Sequence, residues 1–383
     1  MPNAVQFGAG NIGRGFLGQL LFEGGYETTF VDANASLVEG LNTRRAYPIR
    51  LVSEGATENL TVGHVQALNA QDETAVVHAI VRADLVSTAV GVSVLPKIAP
   101  VLAAGINARA REDCSPIDIL LCENQWHAAT LMRELLQLHI APDAADYFQL
   151  QVGLVETVIG RMVPAPTVAL RTEDPLLIVA EPYKELPVAR AMLRAPAPTL
   201  PGLVLADNFE AYEARKLFLH NMGHAALAYL GYPQHEFIWQ CLDHPATCQT
   251  ALTLTARAVS AEYGQPLDSL QAFNDDLMRR FANKALGDTV ARVAADPLRK
   301  LRPNDRLIGA ANLCIKHGDE PLALAVIIAA ALRYDHPDDA SAQELQARRR
   351  AEGDAVVLQS VCGLAPDAPL TRLILDAQLI PQG

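Results

Sequence analysis

Two hydrophobic patterns alternate along the first half of the chain. Short apolar runs (Ala4-Val5-Gln6-Phe7, Thr28-Thr29-Phe30-Val31, Leu85-Val86-Ser87-Thr88 and Ile117-Asp118-Ile119-Leu120-Leu121) are too brief for helices and read as buried strands. Between them Phe16, Leu17, Leu20 and Leu21, and then the stretch 94–108, repeat their apolar positions at helical spacing. Strands alternating with helices predict an α/β fold with a parallel, doubly wound sheet. From 149 to 188 the pattern is irregular and strand-like, broken by prolines at 164, 166, 175, 182 and 187. The Pro-rich run Ala195-Pro196-Ala197-Pro198-Thr199-Leu200-Pro201-Gly202 is the best candidate boundary. Beyond it, 208–230, 247–263, 267–284, 306–316, 321–332 and 341–352 all carry helical periodicity. The expectation is a sheet domain over 1–200 and a mostly α-helical domain over 201–383.

Composition narrows this picture. At 383 residues the chain exceeds one ordinary core, in keeping with two domains. No apolar run approaches the roughly 18 residues of a membrane span, and the N-terminus runs directly into a strand, so a cytoplasmic protein is expected. Six cysteines are scattered without a framework spacing. Cys241, His244 and Cys248 come nearest to a metal cluster, but they lack a fourth ligand nearby and fit no zinc spacing, so no metal is expected. A net charge of −12 argues against nucleic acid. An anionic substrate would therefore need a local basic cluster.

The chemistry starts at the first strand's end. Gly8-Ala9-Gly10-Asn11-Ile12-Gly13 follows that strand and opens a helix, and the second strand ends on Asp32. Strand, G-x-G-x-x-G turn, helix, strand and acid form the dinucleotide fingerprint in its proper context. Gly8 permits the tight turn, Gly10 lets the backbone close on a pyrophosphate, and Gly13 lets helix and strand pack closely. The helix start offers unpaired N–H groups to the phosphates. Asp32 suits a ribose 2′-hydroxyl and repels a 2′-phosphate, and after Ala33 no Arg occurs before Arg44, which favours NAD over NADP. Ala89, Val90 and Gly91, like Glu123-Asn124, follow strand ends, where such sheets bind ligands, so they should line the same crevice. Ala89, Val90 and Asn124 thus join the cofactor residues.

A nicotinamide dehydrogenase also needs a base for the alcohol proton and donors for the developing oxygen charge. The segment Glu213 to His224 supplies candidates. On a regular α-helix Asn221 lies roughly 140° and His224 roughly 80° around from Lys216, so the three can face one cavity. Such a Lys is a competent base only if burial and neighbouring cations lower its pKa. Spacing alone leaves open an amphipathic helix with an exposed Lys and a core-facing His.

The opening stretch Gln6 to Phe16, together with Thr88-Ala89-Val90-Gly91, Cys122-Glu123-Asn124, Arg215-Lys216-Leu217-Phe218, Asn221-x-Gly223-His224-Ala225 and Pro297-Leu298-Arg299-Lys300-Leu301, resembles the polyol-specific long-chain dehydrogenase/reductase family. These anchors span most of the chain, and K-x-x-x-x-N-x-x-H is the family's catalytic signature. The resemblance implies a Rossmann-type NAD domain, a helical catalytic domain and no metal. The implied reaction is the interconversion of D-mannitol 1-phosphate and D-fructose 6-phosphate. The alternative is a relative acting on an unphosphorylated polyol or hexuronate. Lys216 would be the general base, Asn221 and Asn124 would hold the reacting oxygen, and His224 would position the substrate. Glu213 matches a glutamate associated with proton passage to solvent. Two departures stand out: Gly160-Arg161 replaces the Asp-Arg common in relatives, and the region from Tyr183 to Arg190 differs. 6-Phosphogluconate-type and β-hydroxyacid dehydrogenases also pair a catalytic Lys with an Asn, but with three residues between them, where four separate Lys216 from Asn221.

A sugar phosphate calls for Arg forks or Lys charges. Arg299, Lys300, Arg302 and Arg306 form the richest basic run, whose other reading is a solvated turn between helices. Because its first part belongs to the resembling stretch, these four are the expected phosphate site. The monomeric or dimeric state is left undecided.

Overall fold

The computed structural model describes residues 1–166, 168–243 and 245–379. It divides into two compact units, Met1–Phe209 and the chain from Glu210 onward.

The first unit is built on six parallel strands. They are β1 (Asn3–Phe7), β2 (Glu27–Asp32), β5 (Val65–Asn69), β6 (Leu85–Thr88), β7 (Ile117–Leu121) and β8 (Val152–Glu156), in the order β5-β2-β1-β6-β7-β8. Successive residues of each strand point to opposite faces, and both faces are buried. Val5, Phe7, Val86, Ile119 and Leu154 pack with Leu102, Ile106 and Met132 on one side. Ala4, Leu85, Leu120 and Val155 meet Phe16, Leu17, Leu20 and Leu21 on the other. The two halves of the sheet diverge between β1 and β6, the switch point at which such sheets bind ligands. β1 is the strand that carries the glycine turn.

A smaller sheet was not anticipated by the hydrophobic pattern. β3 (Tyr47–Ser53) and β4 (Ala56–Val62) form an antiparallel hairpin, and β3 also pairs in parallel with β9 (Ile178–Ala180). β4 is nearly all exposed, so it carries no apolar run to announce it. The strand-like region between 149 and 188 supplies β8, β9 and β10 (Leu186–Ala189); β10 pairs in parallel with β11 (Leu203–Ala206). Arg161, which stands in the departing Gly-Arg pair, is buried. It donates to the carbonyls of Gly15 (2.8 Å) and Tyr183 (2.5 Å) and to the Gln19 side chain (2.7 Å), tying the first helix to the later strands.

The second unit is helical, as the sequence periodicity predicts, with helices Ala246–Tyr263, Leu267–Phe281, Ile308–Lys316, Leu322–Arg333 and Ala340–Glu352. The stretch 209–231 departs from a single α-helix. It runs as α over Phe209–Arg215, as a π-helix over Lys216–Asn221, and as α again over Met222–Gly231. Among the described residues no helix is long and apolar enough to cross a membrane.

Candidate active site

In the first unit the glycine turn is braced from three sides. Gly8 has φ +89°, and a Cβ there would come within 2.4 Å of the Ala89 carbonyl oxygen. A Cβ on Gly13 would reach 1.9 Å from the Gly8 oxygen, whereas one on Gly10 meets nothing within 4 Å. The first and last glycines are thus required by packing, and the middle one faces open space into which a pyrophosphate fits. Asp32 closes the turn from β2: its Oδ2 accepts the Ala9 N–H (2.8 Å) and its Oδ1 the Asn34 N–H (2.9 Å). The Ala9 side chain is buried in the core, while Asn11 and Ile12 are half-buried. Beneath the turn the buried Arg14 donates to the carbonyls of Ala9 (2.6 Å) and Leu176 (2.5 Å). Burial lowers the pKa of this guanidinium, an effect that the nearby Asp32 carboxylate opposes.

The loop after β6 belongs to the same crevice. The buried Glu123 carboxylate accepts the N–H of Val90 (3.0 Å) and of Gly91 (2.8 Å). Ala89 and Val90 therefore sit against the turn with their backbone fixed, and Asn124 follows Glu123 as an exposed residue. The sequence places Glu123 at the crevice and Arg14 in the opening stretch but assigns neither a role. Each satisfies backbone groups at a strand end, a role that residue type alone does not announce.

In the second unit the π-helical turn changes the relation of Lys216 to its partners. A π turn closes i→i+5 and absorbs one extra residue, which takes about 100° off every later position. Asn221 then lies roughly 40° from Lys216 and His224 roughly 20° to its other side, instead of the wider angles of a regular helix. The three residues share one face. Lys216 is half-buried, and its ammonium is pushed down to about 7 by burial, then by the nearby Arg306 and Arg280. His220, one turn on, is buried and held well below its usual range by burial, Arg280 and Lys216. His224 Nε2 lies 3.0 Å from Asp288 Oδ2, and its ring stacks on Phe281 with centroids 4.8 Å apart. Glu213 is buried one turn before the Lys, and burial, Glu262 and Glu210, with a smaller contribution from Glu213, raise the Tyr263 hydroxyl.

The basic run is largely not a solvated turn. Lys300 and Arg306 are buried, and only Arg302 is exposed. Burial, then Arg306 and Arg299, push Lys300 down to about 7. Arg299 Nε reaches Asp296 (2.7 Å), and Arg306 Nε reaches Asp305 (2.8 Å). Arg306 acts on both Lys216 and Lys300, so the candidate base and the candidate phosphate residues share one field. Arg280, which the sequence reading missed, joins it from helix Leu267–Phe281. Of the trio Cys241, His244 and Cys248, the two cysteines are buried free thiols and His244 lies outside the described residues.

A dinucleotide-type sheet and a helical unit carrying a lysine of lowered pKa define a Rossmann-type oxidoreductase acting on a CH–OH group. Residues 2–202 match the mannitol dehydrogenase Rossmann domain, and residues 208–360 match the mannitol dehydrogenase C-terminal domain. The chain belongs to the mannitol dehydrogenase family. It is 36% identical to mannitol-1-phosphate 5-dehydrogenase of Brevibacillus brevis over 377 residues, covering 97% of this chain and 96% of that protein. The enzyme of the same name from Bacillus subtilis is also 36% identical, with 97% and 98% covered. Pseudomonas fluorescens mannitol 2-dehydrogenase, solved as a ternary complex with NAD and D-mannitol, has the same fold. Its TM-score is 0.79 at 17% identity, with 98% of this chain and 91% of that one covered.

Proposed function

We propose that the protein interconverts D-mannitol 1-phosphate and D-fructose 6-phosphate with NAD, using Lys216 as the general acid/base and no metal. The likeness to mannitol-1-phosphate 5-dehydrogenases over nearly the whole chain supports the substrate. The observation that carries the reading is the shared field of Lys216, Arg306 and Lys300, which joins a base poised near neutrality to the buried basic groups of the run.

NAD, when bound, supplies the acceptor for the hydride that leaves C5 of the polyol. Asp32 takes the adenosine ribose hydroxyl, and Gly8, Ala9, Gly10, Asn11, Ile12 and Gly13 cradle the pyrophosphate, with Ala89, Val90 and Asn124 along the rest of the cofactor. In oxidation, neutral Lys216 Nζ removes the C5 hydroxyl proton as the C–H bond breaks and the C=O bond forms. In reduction, the ammonium returns that proton to the oxygen. With a pKa near 7 both forms are present at neutral pH, which suits a reversible reaction. The Asn221 amide donates to the reacting oxygen and His224 binds a neighbouring hydroxyl, and Asn124 is the further donor that the family resemblance implies. Glu213 passes the Lys216 proton toward solvent. Arg299, Lys300 and Arg306 hold the phosphate, with Arg302 at the exposed end of the run.

The test compares NADH-dependent reduction of fructose 6-phosphate and of fructose. A kcat/KM for the phosphorylated sugar at least a hundredfold higher is expected. Equal values would overturn the substrate assignment and restore the unphosphorylated alternative.

A further inference from the structure

His224 is held in two directions. Phe281 lies almost parallel to its ring, with 16° between planes, and fixes the plane. Asp288 Oδ2, 3.0 Å from Nε2, faces the edge of the ring. The carboxylate is itself immobilised. Arg292 donates to it twice, Nε to Oδ1 and Nη2 to Oδ2, both at 2.7 Å. On the backbone side the Asp288 carbonyl accepts the Ile238 N–H (2.9 Å), and the next residue, Thr289, accepts the Arg292 N–H (3.3 Å) to cap helix Val290–Ala294. Burial alone would raise the Asp288 pKa, yet the bonds from His224 and Arg292 leave it lowered, so the carboxylate stays ionised. An ionised carboxylate only accepts, so a neutral His224 ring that donates to Asp288 does so with its proton on Nε2 and its lone pair on Nδ1.

We infer that Asp288, gripped by Arg292, is a positioning residue that sets the orientation and proton placement of His224 for substrate binding. This rests on the reading that His224 meets the substrate. Arg292 has a further part: its charge offsets that of Asp288, so the pair orients the ring more than it promotes the imidazolium. The arrangement has the logic of an acid that holds a catalytic imidazole in one tautomer, here applied to recognition.

A mutant cycle in the full-length protein tests it. Asp288→Asn, His224→Ala, the double variant and Arg292→Ala are compared for kcat and KM with fructose 6-phosphate, NADH affinity and Tm. Asp288→Asn is expected to lower kcat/KM by on the order of 10- to 100-fold with NADH affinity unchanged. In the His224→Ala background the same substitution should change kcat/KM less than about twofold, because the group it positions is gone. Arg292→Ala, at a half-exposed residue, should repeat this dependence on His224 in milder form and stands in if Asp288→Asn does not fold. A wild-type kcat/KM in Asp288→Asn, or an equal loss with and without His224, would overturn the inference. If His224→Ala is itself silent, the substrate role of His224 fails and takes the inference with it. If His224→Ala is impaired while Asp288→Asn is silent, only the inference fails.

Discussion

Asp32 accepts the backbone N–H of Ala9 at 2.8 Å, so the acid assigned to the cofactor ribose also fastens the glycine turn. Asp32→Ser should therefore act twice. It should reduce discrimination against NADPH by about 1.5–3 kcal/mol, the scale of a charged hydrogen bond, and lower Tm by loosening the turn. Dissociation constants for NADH and NADPH, measured beside thermal melting, separate the two effects. A wild-type enzyme that already prefers NADPH would contradict the role given to Asp32.

Lys216 predicts a pH profile. Its pKa is depressed from the ordinary lysine value, so the neutral base accumulates as pH rises through about 7. Polyol oxidation should climb through that pH, and ketose reduction, which needs the ammonium, should fall. Lys216→Met should keep NADH affinity and lose about two to four orders of magnitude in kcat. Stopped-flow rates across pH 5.5 to 9 are the check, and near-normal turnover by the Met variant would remove Lys216 from the chemistry.

Lys300 gives a prediction about protons in binding. Its pKa, also near 7, lies below that of a free lysine because burial, Arg306 and Arg299 disfavour its charge. A phosphate dianion favours that charge, so binding should raise the pKa and draw a proton from solution between pH 7 and 8.5. Titration calorimetry with fructose 6-phosphate in two buffers of different ionisation enthalpy measures the uptake. Uptake should vanish in Lys300→Met and persist in Lys216→Met. Arg299→Ala should raise KM for fructose 6-phosphate far more than for fructose.

Glu123 predicts a stability effect. Removing its carboxylate by Glu123→Ala strands the N–H groups of Val90 and Gly91, at about 1–3 kcal/mol for each group left unsatisfied. Glu123→Gln keeps one acceptor and should lose less. Denaturant unfolding ranks the two, and a silent Ala variant would mean that solvent reaches those amides.

The sheet and its glycine turn were legible because their signals are local: an apolar run, three glycines and an acid, each read within a few residues. The β3–β4 hairpin was not, since its second strand is largely exposed and offers no apolar run to pair with the buried Tyr47, Ile49 and Leu51 of β3. Lys216, Asn221 and His224 could be picked out as residues, but their mutual angles could not, because periodicity assumes a uniform helix. Arg280 and Asp288 come to the site from distant segments, and nothing near them in sequence points to Lys216 or His224. Lys300 and Arg306 were visible as charges, yet burial, the property that gives them their chemistry, is set by the helices packed around them.

The π turn at Lys216–Asn221 works as a phase shift written into the chain. Two lengths of regular helix are joined out of step by one residue, and the offset brings Lys216 and Asn221, five apart, to the angle that a regular helix gives residues four apart. Deleting one residue between Leu217 and His220 would let the helix run through uninterrupted with Asn221 and His224 at their present angles to Lys216, because the turn takes up that one residue. Straightening the turn with the residue count unchanged would instead swing everything after it by about 100°, and His224 would leave both Phe281 and Asp288. Turn and residue count are therefore linked here: a substitution that regularises the helix should cost activity unless one residue is removed with it.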